Sequence, residues 1–292
     1  MEEQKNSMNI QWYPGHMTKT RRMMEEDLKL VDAVCEILDA RIPISSRNPD
    51  IDAICGKKPR MVILNRIDMA DADLVSRWSN YFKDRGMAVI RTDCKSRKGI
   101  NTFAPAVRQL LSEKLQRYAE KGQVGRPLKL MVVGIPNVGK STFINQIAGR
   151  KGAKAENRPG VTRGKQWVNV DGGLLLLDTP GILWPKFDDP EVGMRLAYTG
   201  AVKDDVLDTE TLGCHLMELL AREYPQALVE RYKIEIPTKV DGWELLQAAG
   251  RKRGFLVSGG EVDTERMAKV LLDEYRSCKL GTFTLERPEE LA

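Results

Sequence analysis

One stretch constrains the fold more than any other, and it reads Gly134-Ile135-Pro136-Asn137-Val138-Gly139-Lys140-Ser141-Thr142. A glycine, four residues and then Gly-Lys-Ser is the pattern of a loop that wraps phosphate groups with its backbone N–H groups. The apolar run 128–133 before it predicts a buried strand, and the spacing of 141–148 after it predicts a helix that ends at Gly149. This strand, loop and helix are the context that the motif requires. The chain is therefore expected to bind a nucleoside triphosphate.

Each part of this loop has an expected role. Glycines let the backbone curl inward, and the helix that follows adds positive potential at its N-terminus. Lys140 supplies a point charge for the outer phosphates, and the Ser141 hydroxyl is expected to bind Mg²⁺. The residues expected to contact the nucleotide here are Asn137, Val138, Gly139, Lys140, Ser141 and Thr142.

Composition excludes several classes of protein. The 292 residues suffice for two domains, and no apolar run reaches membrane-spanning length. Five scattered cysteines without a Cys-x-x-Cys pair predict free thiols in a reducing cytoplasm rather than a disulfide scaffold or a zinc site. The net charge of +5 is compatible with a polyanionic partner, although many proteins are equally basic.

Hydrophobic patterns predict an α/β fold followed by helices. Six strand candidates alternate with helical segments, which favours a mostly parallel, doubly wound sheet. The candidates are 31–38, 60–64, 87–92, 128–133, 165–170 and 174–177. Beyond about residue 185 only helical periodicity remains, in 192–202, 209–232, 243–252 and 264–279. We expect a nucleotide-binding domain over 1–185 and a separate all-helical domain over 186–292.

A guanine-recognition motif follows the second strand, as Asn65-Arg66-Ile67-Asp68. The Asp68 carboxylate can accept hydrogen bonds from guanine N1–H and N2–H₂, whereas adenine would leave it unpaired. Arginine takes the place of the usual lysine at position 66, and its flat guanidinium can stack over the base. After the third strand, Asp93-Cys94 is expected to place a backbone N–H on guanine O6.

The γ-phosphate and Mg²⁺ elements follow the phosphate loop. Asp178-Thr179-Pro180-Gly181 fits an Asp-x-x-Gly loop, with Asp178 holding Mg²⁺ through water and the Gly181 N–H reaching the γ-phosphate. Between the two loops, Thr162 is the expected second Mg²⁺ ligand in a switch segment.

These parts occur in an unusual order, because the base-recognition loops precede the phosphate loop. A cyclic shift of the strands preserves the pocket if the connector 122–127 bridges the old termini. The chain then resembles the circularly permuted GTPases of ribosome assembly, on its motif order, its helical tail and the opening Trp12-Tyr13-Pro14-Gly15-His16-Met17. The resemblance covers essentially the whole chain from Met8. The fold class that it implies is a circularly permuted P-loop GTPase sheet followed by an all-α domain.

The resemblance also implies partners and further site residues. It implies a cytoplasmic GTP hydrolase that binds GTP and GDP and is monomeric off the ribosome. It also implies that the protein binds the large-subunit precursor, contacts ribosomal RNA with its helical domain and is released after hydrolysis. It points to His16 as the catalytic group, because Ile182 stands where many GTPases have a water-orienting glutamine. Asn137 matches the asparagine that helps to bind K⁺ in potassium-activated relatives.

Alternatives remain for these assignments. His16 could pack in a turn or touch RNA, and Asn137 could only stabilise its loop. Two basic clusters are either RNA phosphate contacts or solvated helix faces, namely Lys19, Arg21 and Arg22, and Arg251, Lys252 and Arg253.

Two other functions compete with a ribosome-assembly switch. The first is a GTPase module coupled to RNA modification, for which the tail shows no Cys/His cluster. The second is an RNA-binding protein with a regulatory nucleotide site, against which the intact Lys140, Ser141, Thr162 and Asp178 argue. Both would differ from the switch in how large-subunit particles affect the hydrolysis rate.

Overall fold

The computed structural model describes residues 17–149, 166–170, 172–179, 189–202 and 208–291, with side chains from residue 21 onward. These residues form two compact units. The sheet unit takes its described residues from Gln11–Asp188 and Phe283–Ala292, and the helical unit takes its own from Asp189–Thr282. In the described part of the chain, no helix is long and apolar enough to cross a lipid bilayer.

A six-stranded sheet organises the first unit. The strands are β1 (Ala33–Asp39), β2 (Arg60–Asn65), β3 (Ala88–Thr92), β4 (Leu128–Val133), β5 (Gln166–Val170) and β6 (Leu174–Asp178). They lie in the order β3-β2-β1-β4-β6-β5 and are parallel except for β5, which runs antiparallel to β6. All seven residues of the central β1 are buried, as expected for a strand covered on both faces. The predicted α/β fold is confirmed.

Helices cover both faces of this sheet. They are α1 (Met17–Leu28), α2 (Ile51–Cys55), α3 (Ala72–Asp84), α4 (Phe103–Leu110), α5 (Ser112–Glu120) and α6 (Lys140–Ala148). On one face, α1 packs Met24 against Val34, and α3 packs Trp78 against Leu38, two residues that point to the same side of β1. Between β3 and β4 the chain reverses its direction across the sheet, so the right-handed rule for parallel crossovers places α4 on the opposite face. The ring of Phe103 in α4 lies 5.3 Å from the ring of Phe143 in α6.

The helical region between residues 100 and 120 is interrupted. A short 3-10 turn, Ile100–Thr102, precedes α4, and the chain bends at Leu111 before α5 begins. Leu111 is buried, whereas no residue of α5 is fully buried. The bend therefore buries the Leu111 side chain, whereas α5 remains at the surface.

The last residues of the chain return to the sheet unit. We call residues 283–291 the C-terminal strap. The Phe283 N–H donates to the Met69 carbonyl oxygen at 3.1 Å, and the Leu285 N–H donates to the Arg41 carbonyl oxygen at 2.8 Å. The strap thus joins the loop that follows β1 to the loop that follows β2.

Side chains fix the strap further. The buried Glu286 carboxylate accepts the Ile44 N–H at 2.6 Å, the Ser45 N–H at 2.9 Å and the Ser45 hydroxyl. The indole Nε1–H of Trp78 donates to the Glu286 carbonyl oxygen at 3.0 Å. This buried acid is therefore held by several donors that lie more than 200 residues earlier in the chain.

The domain boundary differs from the expected one because of this strap. The sequence placed 186–292 in one helical domain, whereas the structure assigns the end of the chain to the sheet unit. Local periodicity cannot reveal contacts across such a separation in sequence.

The helical unit consists of short helices. They are α7 (Pro190–Tyr198), α8 (Thr209–Glu223), α9 (Pro225–Tyr232), α10 (Gly242–Lys252) and α11 (Thr264–Arg276). The helix expected over 209–232 is two helices, because Pro225 has no N–H to continue the first and suits the opening turn of the second. Aspartates cap α8, α10 and α11 by accepting backbone N–H groups from the first turn, as Asp208, Asp241 and Asp263.

Candidate nucleotide-binding site

The carboxyl ends of the parallel strands meet at one edge of the sheet. The strand register places Asp39 beside Asn65, Asn65 beside Thr92, and Val132 beside Asp178. The loops predicted to bind base and phosphate follow these positions. The structure therefore brings them to a single edge although they occur in a permuted order along the chain, and such edges are where α/β sheets bind ligands.

The phosphate loop has the backbone conformation that its glycines predict. Gly139 has a φ of 99° immediately before α6, a conformation that side-chain-bearing residues rarely adopt. A Cβ at this position would lie only 2.4 Å from Asn65 Nδ2. Asn137 also has a positive φ, of 61°, and its side chain is exposed at the surface of the loop. Glycine is thus required at 139 both by conformation and by the close approach of the base-recognition loop.

Asn65 joins three segments of the site. Its Nδ2 donates to the Val138 carbonyl oxygen at 2.9 Å, and its Oδ1 accepts the Thr92 hydroxyl at 3.2 Å and the Cys94 N–H at 3.3 Å. Asn65 is 2% exposed. Sequence predicted a GTP contact for this residue, and the structure gives it the additional task of holding the loops around the nucleotide together.

Arg66 connects the base-recognition loop to the phosphate loop. Its Nη2 donates to the Asn137 carbonyl oxygen, and its Nη1 lies 3.2 Å from Asp39 Oδ2. Arg66 has a φ of 62°, in the left-handed region that residues with side chains rarely adopt. The arginine thus makes a direct hydrogen bond to the phosphate loop.

Asp39 is the buried anchor of this arrangement. Arg41 donates to it from Nε at 3.0 Å and from Nη2 at 2.7 Å, and the Arg41 N–H adds a third hydrogen bond at 3.0 Å. Burial alone would raise the pKa of Asp39, but Arg41 and Arg66 outweigh it and hold that pKa below the ordinary value. Asp39 is therefore a carboxylate that positions Arg66.

Asp39 and Arg41 were not among the residues predicted for the site. The available signal was an acidic residue at the carboxyl end of a buried strand, followed two residues later by an arginine. That spacing allows a side chain to return to the same carboxylate.

Asp68 is exposed at this edge, where a base could reach it. Partial burial and the nearby Asp93 carboxylate raise the pKa of Asp68 above its ordinary 3.8. For Asp93, burial also acts to raise the pKa, but hydrogen bonds from Ser96 and Lys95 outweigh it and lower the pKa. Hydrogen bonds that a ligand donates to Asp68 would stabilise the ionised carboxylate and lower its pKa.

Backbone N–H groups of the loop after β3 already have partners within the chain. The Asp93 N–H donates to Lys98, the Cys94 N–H to Asn65, and the Lys95 and Ser96 N–H groups to Asp93 Oδ1. The sequence predicted that Asp93-Cys94 offers an N–H to guanine O6. In this arrangement such a contact would have to share a donor, so the O6 assignment stays a prediction.

Lys140 and Asp178 lie together at the start of α6. Lys140 Nζ donates to Asp178 Oδ1, and the lysine is only 9% exposed. Ser141 and Thr142, the next two residues of α6, have exposed side chains. A phosphate-binding lysine and a carboxylate near Mg²⁺ are expected to be neighbours, because both act on the same triphosphate.

The donor set fits Mg²⁺ on chemical grounds. The Ser141 hydroxyl and the Asp178 carboxylate offer the oxygen atoms that this hard cation prefers. Among the residues with described side chains, no group of three or more His, Cys, Asp or Glu could form a metal cage.

Several predicted residues lie outside the described part of the chain. His16, Thr162 and Gly181 are among them, and so is the side chain of Lys19. The assignments of catalysis, the second Mg²⁺ ligand and the γ-phosphate contact therefore stay predictions.

The basic clusters have mixed surroundings. Arg21 and Arg22 are exposed on α1, and Arg21 pairs with Glu25 at 3.3 Å. On the helical unit, Arg251 and Lys252 are exposed. Arg253 instead pairs with Glu274 at 3.0 Å and lies over the Tyr232 ring at 5.3 Å. Its guanidinium is thus already engaged within that unit.

The chain is similar in sequence to known GTPases. The family model described as "50S ribosome-binding GTPase" matches residues 129–232. The chain is 47% identical over 285 residues to Ribosome biogenesis GTPase A of Priestia megaterium, covering 97% of this chain and 98% of that protein.

Two solved structures are similar over both units. The GDP-bound structure of TM YlqF has a TM-score of 0.68 at 27% identity, covering 92% of this chain and 100% of that one. GNP-bound YlqF from T. maritima has a TM-score of 0.66 at 28% identity, covering 93% and 99%.

Proposed function

Because the chain belongs to the ribosome biogenesis GTPase A family, and is therefore a GTP hydrolase, we propose that it acts on the large-subunit precursor during late maturation. Hydrolysis of GTP to GDP and phosphate would release it from the particle. The observation that supports this proposal is the extent of the similarity, which spans 97% of the chain and so includes both the sheet unit and the helical unit. The description of the matching family model, a 50S ribosome-binding GTPase, also favours this target.

The nucleotide would lie across the edge formed by the strand ends. Asp68 would accept the guanine donors, Arg66 would stack on the base, and Lys140 would bind the outer phosphates. Ser141 and Asp178 would hold Mg²⁺ together with Thr162. When bound, Mg²⁺ neutralises charge on the phosphates during phosphoryl transfer.

The catalytic group in this proposal is His16. An aliphatic residue at position 182 cannot orient water, so hydrolysis by the isolated protein should be slow. Binding to the particle would then place His16 beside the γ-phosphate and stimulate hydrolysis. Asn137 would help to hold a K⁺ ion beside the phosphates.

The surroundings of the protein follow from the same proposal. We infer that it works in the cytoplasm as a monomer off the ribosome. Exposed Arg251 and Lys252 of the helical unit, and Arg21 and Arg22 of α1, are the side chains that we assign to ribosomal RNA phosphates.

The decisive experiment compares GTP hydrolysis by the full chain alone, with purified large-subunit precursors, and with mature small subunits as a control. We expect stimulation only by the large-subunit particles. A rate unaffected by those particles would contradict the proposal and favour the RNA-modification or RNA-binding alternatives.

A further inference from the structure

A cleft of about 890 Å³ lies in the sheet unit away from the nucleotide loops. We call it the basic cleft. Its walls include residues that lie one or two positions before three strands, namely Asp32 before β1, Pro59 before β2 and Gly86 before β3. Because these strands are parallel, their amino ends face the edge opposite to the nucleotide site. A strand of seven residues separates the two edges by about 20 Å.

Positive charge dominates the lining of the basic cleft. Six cationic side chains contribute, namely Lys57, Lys58, Lys114, Arg117, Lys121 and Arg126. The same lining contains only two carboxylates, Asp32 and Glu113. The cleft therefore has an excess of four positive charges over its own acids.

The two carboxylates do little to neutralise the remaining cations. Asp32 forms an ion pair with Lys114 and accepts the Lys129 backbone N–H at 2.8 Å. Glu113 lies 3.7 Å from Arg117, and both of these side chains are largely exposed. An exposed pair of this kind is weak and is screened by salt, so a polyanion could displace it.

Packing holds part of this positive surface in place. The ring of Tyr118 has Arg126 Cζ at 4.9 Å from its centroid and Lys114 Nζ at 5.6 Å. Lys58 Nζ donates to the Val31 carbonyl oxygen at 2.8 Å. These contacts limit the freedom of long side chains, which lowers the entropic cost of ordering them on a ligand.

We propose that the basic cleft binds the phosphate backbone of RNA. Lysine is depleted at protein–protein interfaces but is a common phosphate ligand, and the cleft presents four lysines. The proposal rests on the proposed function for the source of the RNA, and it adds a contact on the sheet unit, separate from those of α1 and the helical unit. The protein would then engage RNA at the edge of the sheet remote from its nucleotide.

The test uses the full chain with Lys57→Glu and Lys121→Glu combined. Both lysines are exposed, and neither forms an ion pair with a described residue. Neither belongs to the nucleotide site. The matched control combines Lys57→Arg with Lys121→Arg, which retains the charge. Binding is measured to purified large-subunit precursors and to RNA extracted from them, over a series of salt concentrations, with unstimulated hydrolysis and thermal unfolding in parallel.

We expect the Glu variant to bind both probes at least tenfold more weakly, with a salt slope shallower by about 1.4–1.8 for two lost phosphate contacts. The Arg variant should bind like the unmodified chain, and unstimulated hydrolysis should be the same in all three. Unchanged binding of the Glu variant would overturn the proposal. So would a loss confined to intact particles, which would identify an acidic protein instead. If the unmodified chain did not bind the particles, the proposed function would be wrong. Binding of the variants to the extracted RNA would still test the role of the cleft.

Discussion

Asn65 Nδ2 donates to the carbonyl oxygen of Val138 at 2.9 Å, so a side chain of the base-recognition loop holds the backbone of the phosphate loop. These residues are far apart in the sequence and belong to motifs that bind opposite ends of a nucleotide. The bond passes beside Gly139, where any side chain would collide with the amide. The conformation of each loop therefore depends on the other.

Replacing Asn65 with alanine tests this joint geometry. The Val138 carbonyl and the Cys94 N–H would both lose their Asn65 partner, and losing a buried hydrogen bond costs about 1–3 kcal/mol. We expect GTP and GDP affinities to fall about 10- to 100-fold, as measured by fluorescence with a labelled nucleotide. Asn101→Ala, at an exposed position, serves as the control. Undiminished affinity in Asn65→Ala would show that the phosphate loop keeps its shape alone.

The ionisation of Asp68 makes nucleotide affinity depend on pH. Partial burial and Asp93 raise the pKa of Asp68 above 3.8, and guanine donors require the ionised carboxylate. Binding therefore releases a proton wherever free Asp68 is protonated, and affinity falls as the pH is lowered through the raised pKa. Calorimetry with GDP should show the loss beginning at a higher pH than an ordinary aspartate would give.

Asp93→Asn provides the comparison for this pH effect. It removes the repulsive charge but keeps an oxygen that can accept the Lys95 and Ser96 N–H groups. The pKa of Asp68 should fall, and the loss of affinity should move to lower pH. Titration of the GDP phosphates affects both proteins equally. Superimposable pH profiles would refute the assignment to Asp68.

His16→Ala tests the proposed catalytic group. Particle-stimulated hydrolysis should fall by about 10²-fold or more, in the range typical of a lost general acid–base or positioning group. GTP affinity should stay within twofold of the original, at about 0.4 kcal/mol or less. Single-turnover hydrolysis with bound particles separates the two quantities. If stimulated turnover were unaltered, His16 would have no part in the reaction.

Potassium dependence tests the role proposed for Asn137. We expect faster hydrolysis in K⁺ than in Na⁺ at equal ionic strength, and we expect Asn137→Ala to remove the difference. Asn145→Ala, at an exposed position of α6, is the control. Equal rates in the two salts would leave Asn137 as a residue that only shapes its loop.

Glu286→Ala tests the C-terminal strap. Alanine would leave the Ile44 and Ser45 N–H groups without their acceptor in a buried region. The free energy of unfolding should fall by about 2–4 kcal/mol, because several buried donors lose a charged partner together. Glu290→Ala is matched to it, since that exposed acid lies 3.8 Å from Arg287 and should contribute less than about 1 kcal/mol. Thermal unfolding that is equal for the two variants would contradict this role for the strap.

Local patterns were sufficient for much of the fold and for the composition of the site. The apolar runs predicted all six strands, and the phosphate-loop motif predicted the glycine conformation at 139. The break at Pro225 was not predicted, because the helical periodicity continues on both sides of the proline. Motifs and periodicity are properties of neighbouring residues, which explains why these features can be recognised in a single sequence.

Contacts between distant segments were not predictable in the same way. Arg66 reaches the phosphate loop because Asp39 orients it, and Asp39 is buried beneath Arg41. No local pattern indicates that Glu286 would serve as the acceptor for the loop after β1. These side chains are positioned by tertiary packing, which a sequence pattern does not record.

The C-terminal strap also affects the time at which this protein becomes complete. Its hydrogen bonds reach Arg41 and Met69 from Leu285 and Phe283, residues that are translated more than 200 positions later. A nascent chain therefore cannot complete the surroundings of its own base-recognition loop until the strap has been synthesised. A premature stop codon near residue 282 would remove every one of these late contacts while sparing each nucleotide motif. Translation must therefore pass through the whole helical unit before the sheet unit has all of its contacts.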